Sequence, residues 1–394
     1  MAVASILLWR SAAILSDENN LRVLHVYRTY FPDPQGGMQE AIRQICLATQ
    51  TYGVSNTIYT LSPDPEPAVL ARPEARVVRS LSWAAPASCD LGTPASLKRY
   101  RELAEEADVV HFLFPWPYGD LMHALMRPRT PSVVTYVSDV VRQRWLGKLY
   151  EPLMWRSLRN AKAVVANCPG YITSSPVLST PEINAKVSMI PLGIVEDSYA
   201  KTADEGIFGK LGLEPDEPFF LFVGVLRYYK GVQTLVHAAK SVNAKIIVAG
   251  TGPEGAALRD LSASLSADNV QFAGQISDEE KIALLKACRA LVLPSHLRSE
   301  AFGMVLAEAA LFGRPSISCE IGTGTSFVNM HNESGLVVAP ENVKELADAM
   351  NELLGDDERA RTLGLGARAR YERLFSGPAL GQAYAKLFRE VAKA

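Results

Sequence analysis

The sequence predicts an α/β chain built as two doubly wound, parallel-sheet domains. At 394 residues it is long enough for two domains. Short apolar runs that read as strands alternate with helical patterns, which argues parallel sheets covered by helices on both faces. The series then starts afresh at Pro218, after a polar stretch from Glu196 to Gly206 that reads as an interdomain linker.

In the first half the strands are Arg22 to Val26, Val54 to Thr60, Arg76 to Arg79, Asp108 to Phe114, Ser132 to Tyr136, Lys162 to Ala166 and Lys186 to Ile190. The first strand runs into a loop ending in Gly36-Gly37, and a helix starts near Met38 with Ile42, Ile45, Cys46 and Leu47 on its buried side. Strand, glycine loop, helix lets backbone N–H groups approach an anion. Pro63 to Pro73 reads as a long Pro-rich loop. Tyr136, Ser138 and Asp139 follow a strand end, where ligands gather in open α/β sheets. Asp139 reads equally as a ligand contact or as the N-cap of the next helix. That helical segment, Val141 to Asn160, is expected to kink or break near Pro152. It interleaves Arg142, Arg144, Lys148, Arg156 and Arg159 with Trp145, Tyr150 and Trp155. Such a pattern fits an anionic lipid surface or, equally, a solvated helix with an aromatic core face.

In the second half the strand Phe219 to Val223 leads into Gly224-Val-Leu-Arg227-Tyr-Tyr-Lys230-Gly231 and a helix from Val232. Cations at the carboxyl end of a strand are well placed to hold a diphosphate. Lys245 to Ala249 is a strand ending in Gly250-Thr-Gly252-Pro-Glu254, and Val270 to Gly274 is the next. Ser277 with Glu280 forms a capping box. A buried strand, Ala290 to Leu293, precedes Ser299 to Phe312, whose helix starts near Gly303 and closes at Gly313, with Pro315 beyond. That helix is apolar on nearly every face, yet Glu308 sits in its middle. A buried carboxylate needs a partner, a neighbouring Lys or a ligand hydroxyl pair. With Glu300 just before it and the N–H groups of Ala301 to Met304 free, the stretch suits a sugar joined to a phosphate. Helices follow at Asn342 to Leu354, Glu358 to Phe375 and about Pro378 to Ala392.

Composition is that of a soluble globular protein, 48% hydrophobic and 21% charged. A net charge of −2 gives no sign of a nucleic-acid partner. The five scattered cysteines (Cys46, Cys89, Cys168, Cys288 and Cys319) read as reduced core residues of a cytoplasmic protein. Neither a zinc pattern nor a P-loop is present, and no apolar run reaches the length of a membrane span. Met1 to Leu15 is too short to span and lacks a preceding basic region. It reads as a mobile tail, with a membrane-surface contact or an early start codon as alternatives.

Glu300 and Glu308, with Phe302-Gly303 between them, resemble the signature of the family 4 glycosyltransferases, and the resemblance runs from about Leu21 to the C-terminal region. Those are retaining enzymes of the GT-B fold, two Rossmann-like domains with an interdomain cleft. The implied division is an N-terminal extension at 1–20, an acceptor-side domain at 21–197, a donor-binding domain at 198–376 and a helix at 377–394 crossing back to the first domain. The resemblance implies a nucleotide-diphosphate sugar donor, leaning to a GDP-hexose of the GDP-mannose kind. It implies a saccharide or lipid-linked saccharide acceptor in surface polysaccharide assembly, a peripheral contact with the inner membrane, and no cofactor or metal. Arg227 and Lys230 would stabilise the departing diphosphate, Glu300 would accept from donor-sugar hydroxyls, and Asp139 from the acceptor. Further donor contacts are implied at Gly36, Gly37, Gly224, Gly252, Gln275, Ile276, Phe302, Gly303, Met304, Val305 and, through the ribose, Glu308. Acceptor contacts are implied at Tyr136, Ser138 and Arg142. Two positions depart from the family pattern. A His is usual where Val137 stands, and an Arg directly after the glycine where Val225 stands, with Arg227 two residues on. A nucleotide-sugar epimerase or hydrolase of the same fold, and a non-catalytic scaffold of a membrane assembly complex, are the alternatives.

Overall fold

The computed structural model describes residues 20–33, 36–86, 89–137, 144–199 and 202–394, with 144–149 as backbone alone. Ser138, Asp139, Arg142 and nearly all of the N-terminal extension lie outside the described residues. By internal contacts the chain divides into two units. One is Met1–Val133 with Pro152–Lys162 and Gly381–Ala394, and the other is Val134–Glu151 with Ala163–Leu380.

The first unit carries β1 (Leu21–Val26), β2 (Val54–Ser62), β3 (Val69–Ala71), β4 (Arg76–Ala84), β5 (Leu91–Gly92) and β6 (Val109–Phe114). Their order is β3-β4-β2-β1-β6, with β5 on β4. β1 runs parallel to β2 and β6, and β2 parallel to β4. Two features differ from expectation. The Pro63 to Pro73 stretch is not all loop, because β3 pairs antiparallel with β4, Val69 opposite Val78. β4 does not stop at Arg79. That side chain is buried, with its guanidinium against Asp33 at 3.3 Å and on Ser62 Oγ at 2.8 Å. A buried arginine breaks the apolar pattern without ending the strand. The helix Arg144–Asn160 also runs past Pro152 without a break.

β7 (Ser132–Tyr136) lies at the division. The second unit then holds β8 (Ala163–Ala166) and β9 (Val187–Met189), paired in parallel. Its main sheet has six strands: β10 (Phe219–Val223), β11 (Lys245–Ala249), β12 (Val270–Gly274), β13 (Ala290–Leu293), β14 (Ser316–Cys319) and β15 (Gly335–Val338). The order is β12-β11-β10-β13-β14-β15, parallel throughout. From β10 the chain winds outward one way to β12, then returns to the other side of β10 at β13. The expected α/β class with parallel sheets is therefore present in both units. No helix among the described residues is long and apolar enough to cross a membrane.

The core of the first unit contains an unusual polar pair. His25 on β1 and His111 on β6 are fully buried, their Nδ1 atoms 2.9 Å apart. Asn56 donates its amide N–H to Cys46 O (3.0 Å), leaving Asn56 Oδ1 to accept from His25 Nε2 (2.9 Å). His25 Nδ1 is then the acceptor and His111 Nδ1–H the donor. Tyr384 and Phe388, on the helix Gly377–Ala392, cover the pair. Burial pushes His25 down to about 4, the Asn56 bond opposing it weakly, and pushes His111 down as well, with His25 adding to the effect. Burial does the same to His123, down to about 4.

These folded-state values lie below the ordinary 6.5, so the unfolded chain binds more protons between them. The stability contributed by the neutral histidines is present above about pH 6.5 and is lost progressively as pH falls toward 4. His25 alone accounts for on the order of 3 kcal/mol. Denaturant midpoints measured from pH 7.5 to 4.5 should fall steadily below 6.5. A flat profile across that range would contradict neutral burial.

Candidate functional site

In an open parallel sheet, ligands bind at the carboxyl ends of the strands where the winding reverses. In the second unit that point lies between β10 and β13, and the loops following them carry Lys230 and Glu300. Gly231 brings these loops together. It adopts φ 68°, which glycine tolerates, and a Cβ there would stand 2.0 Å from the carbonyl of Pro294. The loop after β13 is tied back by His296 N–H donating to Tyr229 O (3.0 Å).

This approach places the Lys230 ammonium in an ion pair with Glu300 Oε2. Ser295 Oγ donates to the same oxygen at 3.2 Å, and Thr323 Oγ1 donates to the Glu300 carbonyl at 2.7 Å. Both charged side chains are about one-tenth exposed. Each charge is therefore held where its partner offsets the cost of desolvation. Arg227, exposed in an extended conformation, makes no ion pair among the described residues.

The other predicted residues lie on the loops and helix starts that follow the strands of each unit. Gly224 follows β10, and a Cβ on it would lie 3.8 Å from Lys230 Nζ. The loops after β10 and β11 are laced by Leu226 N–H to Thr251 O (2.9 Å) and Glu254 N–H to Leu226 O (3.1 Å), with Gly252 between. Gln275 is exposed after β12, 3.4 Å from Thr251 Oγ1, and Ile276 beside it is half-buried. Gly303 caps the helix Met304–Leu311 with φ 78°. Phe302 is buried and packs edge-on against Phe375, and Val305 is buried too, whereas Met304 is partly open. In the first unit, Gly36 and Gly37 are exposed at the start of the helix Gly37–Gln50. Tyr136 is fully buried, and Val137 is also buried.

Glu308 has protein partners that were open in the sequence. Its Oε1 accepts from the Tyr199 hydroxyl and from Lys281 Nζ at 3.2 Å. Lys281 also meets Asp278 at 3.2 Å and lies 5.3 Å from the centre of the Tyr199 ring. Burial lowers the Lys281 pKa, but Glu308 and Asp278 outweigh it and hold the value above the ordinary one. Oε2 of Glu308 makes no hydrogen bond among the described residues. The expected capping box is formed: Ser277 Oγ accepts from Glu280 N–H and Glu280 accepts from Ser277 N–H. It starts the helix that carries Lys281. Tyr199, Lys281, Ser295 and His296 escaped the sequence reading. Of these only Lys281 had a signal, its place one turn into a capped helix.

Two concavities lie elsewhere. One is lined by Asp216, Arg289, Arg314 and Asp357 in the second unit, the other by Arg22, Asn56, Arg72 and Arg76 in the first. Both sit at the amino ends of the strands, opposite the ends at which such sheets bind ligands. Among the described residues no group of three or more His, Cys, Asp or Glu could hold a metal ion.

Comparison with known proteins agrees with this fold. The pattern of "Glycosyl transferases group 1" matches residues 204–370, and that of "Glycosyl transferase 4-like domain" matches 36–173. The D-rhamnosyltransferase WbpZ of Pseudomonas aeruginosa is 44% identical over 359 residues, covering 90% of this chain and 92% of that one. The O-antigen chain mannosyltransferase C of Escherichia coli is 38% identical, covering 93% and 98%. The crystal structure of Anabaena HepE in complex with UDP shares the fold at a TM-score of 0.75 and 17% identity, covering 94% of this chain and 100% of that one. The chain belongs to the family 4 glycosyltransferases and is a glycosyltransferase of the GT-B fold.

Proposed function

We propose that this glycosyltransferase moves a hexose from a nucleotide-diphosphate donor of the GDP-mannose kind to a saccharide or lipid-linked saccharide acceptor. The anomeric configuration is retained, no metal takes part, and the product enters surface polysaccharide assembly. The observation that carries this is the Lys230–Glu300 pair at the winding reversal of the second sheet. The names of the two relatives, a D-rhamnosyltransferase and an O-antigen mannosyltransferase, support the sugar class and the pathway.

Breaking the sugar–phosphate bond puts negative charge on the departing diphosphate. Lys230, held beside Glu300, and Arg227, exposed with no ion pair among the described residues, supply two cations for it. Gly224 and Gly252 allow the backbone to approach the phosphates, and Gly36, Gly37 and the N–H groups at Gly303 and Met304 add donors. Glu300 accepts from hexose hydroxyls. Glu308 accepts from the ribose through Oε2, because Tyr199 and Lys281 occupy Oε1. The loop from Gln275 to Ile276 borders the base, and Phe302 and Val305 back this wall from the core. Ser138, Asp139 and Arg142 serve the acceptor side, and Tyr136, whose side chain is fully buried, contributes there through its backbone alone. A peripheral contact with the inner membrane through residues 141–160 is supported by the basic and aromatic residues that the sequence interleaves there.

Thermal unfolding against a panel of nucleotides and nucleotide sugars, with chelator present, should show a raised midpoint for one base, larger with its sugar attached. Ligand at about 100 times Kd adds roughly 2.7 kcal/mol. The donor so found, in a transfer assay read by proton NMR, should give a product with the donor's anomeric configuration. Inversion would refute retention.

Lys230→Ala should lower turnover by at least about 100-fold, the usual scale for losing a preorganised charge on a leaving group. Turnover within a few-fold of wild type would remove Lys230 from the chemistry. Glu308→Gln should weaken donor binding by about tenfold in calorimetric titration, the scale of one charge-assisted hydrogen bond. Unchanged affinity would take Glu308 out of the site.

A further inference from the structure

The loop after β13 contains a buried polar side chain that has no role in the proposed mechanism. His296 is only 8% exposed, and neither Nδ1 nor Nε2 has a hydrogen-bond partner among the described residues. An imidazole buried without partners forfeits its hydration, a cost of about 1–3 kcal/mol for each unsatisfied group. Native proteins rarely leave such a group without a partner or a ligand.

Its surroundings show what it faces. The ring stands edge-on to Tyr228 at 4.8 Å, and Tyr228 is exposed. A Cβ on Gly231 would lie 3.3 Å from Nδ1. The imidazole thus abuts the turn that presents Lys230. The residue before it, Ser295, donates to Glu300. His296 therefore belongs to the same pair of loops as the Lys230–Glu300 ion pair, and no protein group there satisfies it.

We infer that His296 hydrogen-bonds the hexose of the donor and so contributes to sugar selection, an inference that rests on the proposed transferase reading. The chemistry favours the sugar over the diphosphate. A neutral imidazole offers one donor and one acceptor, and both are unpaired here. A phosphate oxygen only accepts and would leave one nitrogen unsatisfied. A hydroxyl both donates and accepts, and a hexose carries several on neighbouring carbons. The cationic and anionic needs of this corner are already met by Lys230 and Glu300, so what His296 adds is hydrogen-bonding orientation.

The test compares wild type, His296→Phe and His296→Asn by calorimetric titration with GDP, GDP-mannose, UDP and UDP-glucose. The quantity read is the ratio of affinities between each nucleotide sugar and its own nucleotide diphosphate. Wild type should favour one nucleotide sugar over the bare nucleotide, and His296→Phe should cut that margin by about tenfold. His296→Asn, which keeps a donor and an acceptor, should recover part of it. Melting temperatures recorded alongside identify a variant that has lost its fold, in which case His296→Asn alone carries the comparison. An unchanged margin in the variants overturns the inference, and so does a wild type that binds a nucleotide without preferring any sugar form. A folded wild type that binds no nucleotide at all overturns the transferase reading, and the inference with it.

Discussion

The close approach of Gly231 to the carbonyl of Pro294 is the constraint on which the site depends. Only a residue without a Cβ lets the turn after β10 lie against the loop after β13. Once the two loops touch, Lys230 and Glu300 meet, Ser295 closes on the same carboxylate oxygen, and His296 is roofed by Tyr228. An ion pair of this degree of burial is costly to break from one side, up to about 3–5 kcal/mol in a fully dry interior and less here. The backbone contact therefore fixes a charge arrangement that side-chain freedom alone would leave variable. It also lies at the place in the sheet where the winding direction reverses and two loops can face one ligand.

Much of the fold was legible because the signals are local. The apolar runs at Phe219–Val223, Lys245–Ala249 and Val270–Gly274 became strands at those bounds. The Ser277–Glu280 box became a helix start with both reciprocal bonds. What failed had a physical reason each time. β3 is a three-residue edge strand inside a Pro-rich segment, too short to show a period. Arg79 looked like a strand end because its burial depends on Asp33, 46 residues away. The Glu308 partners lie 27 and 109 residues off, beyond any periodic pattern. The need for a partner could be read from the sequence, whereas the identity of the partner required the fold.

The two departures from the family pattern look different in three dimensions. Val225 and Arg227 are both exposed and flank Leu226, which is almost fully buried. Arg227 N–H donates to Val225 O at 2.9 Å, a tight three-residue turn with Leu226 at its centre that leaves both flanking side chains outward. A displacement of two positions therefore returns the cation to the outward side on which Val225 stands, whereas a displacement of one would have sent it into the core. Val137 shows no such compensation: it is buried beside the fully buried Tyr136, and an imidazole placed there would need a polar partner of its own.

The helix begun by the capping box has a consequence for how this protein can change. Its first turns place Lys281 between Asp278 and Glu308, so a few exposed bonds at Ser277 and Glu280 set the register of a cation that neutralises a carboxylate on another helix. Slippage of that helix by one residue would rotate the ammonium by about 100° and strand the carboxylate. Lys281 and Glu308 thus form one electrostatic unit. Removing either charge leaves the other partly buried with only its second partner, Tyr199 for Glu308 and Asp278 for Lys281, at a cost that a matched change at the other position would offset.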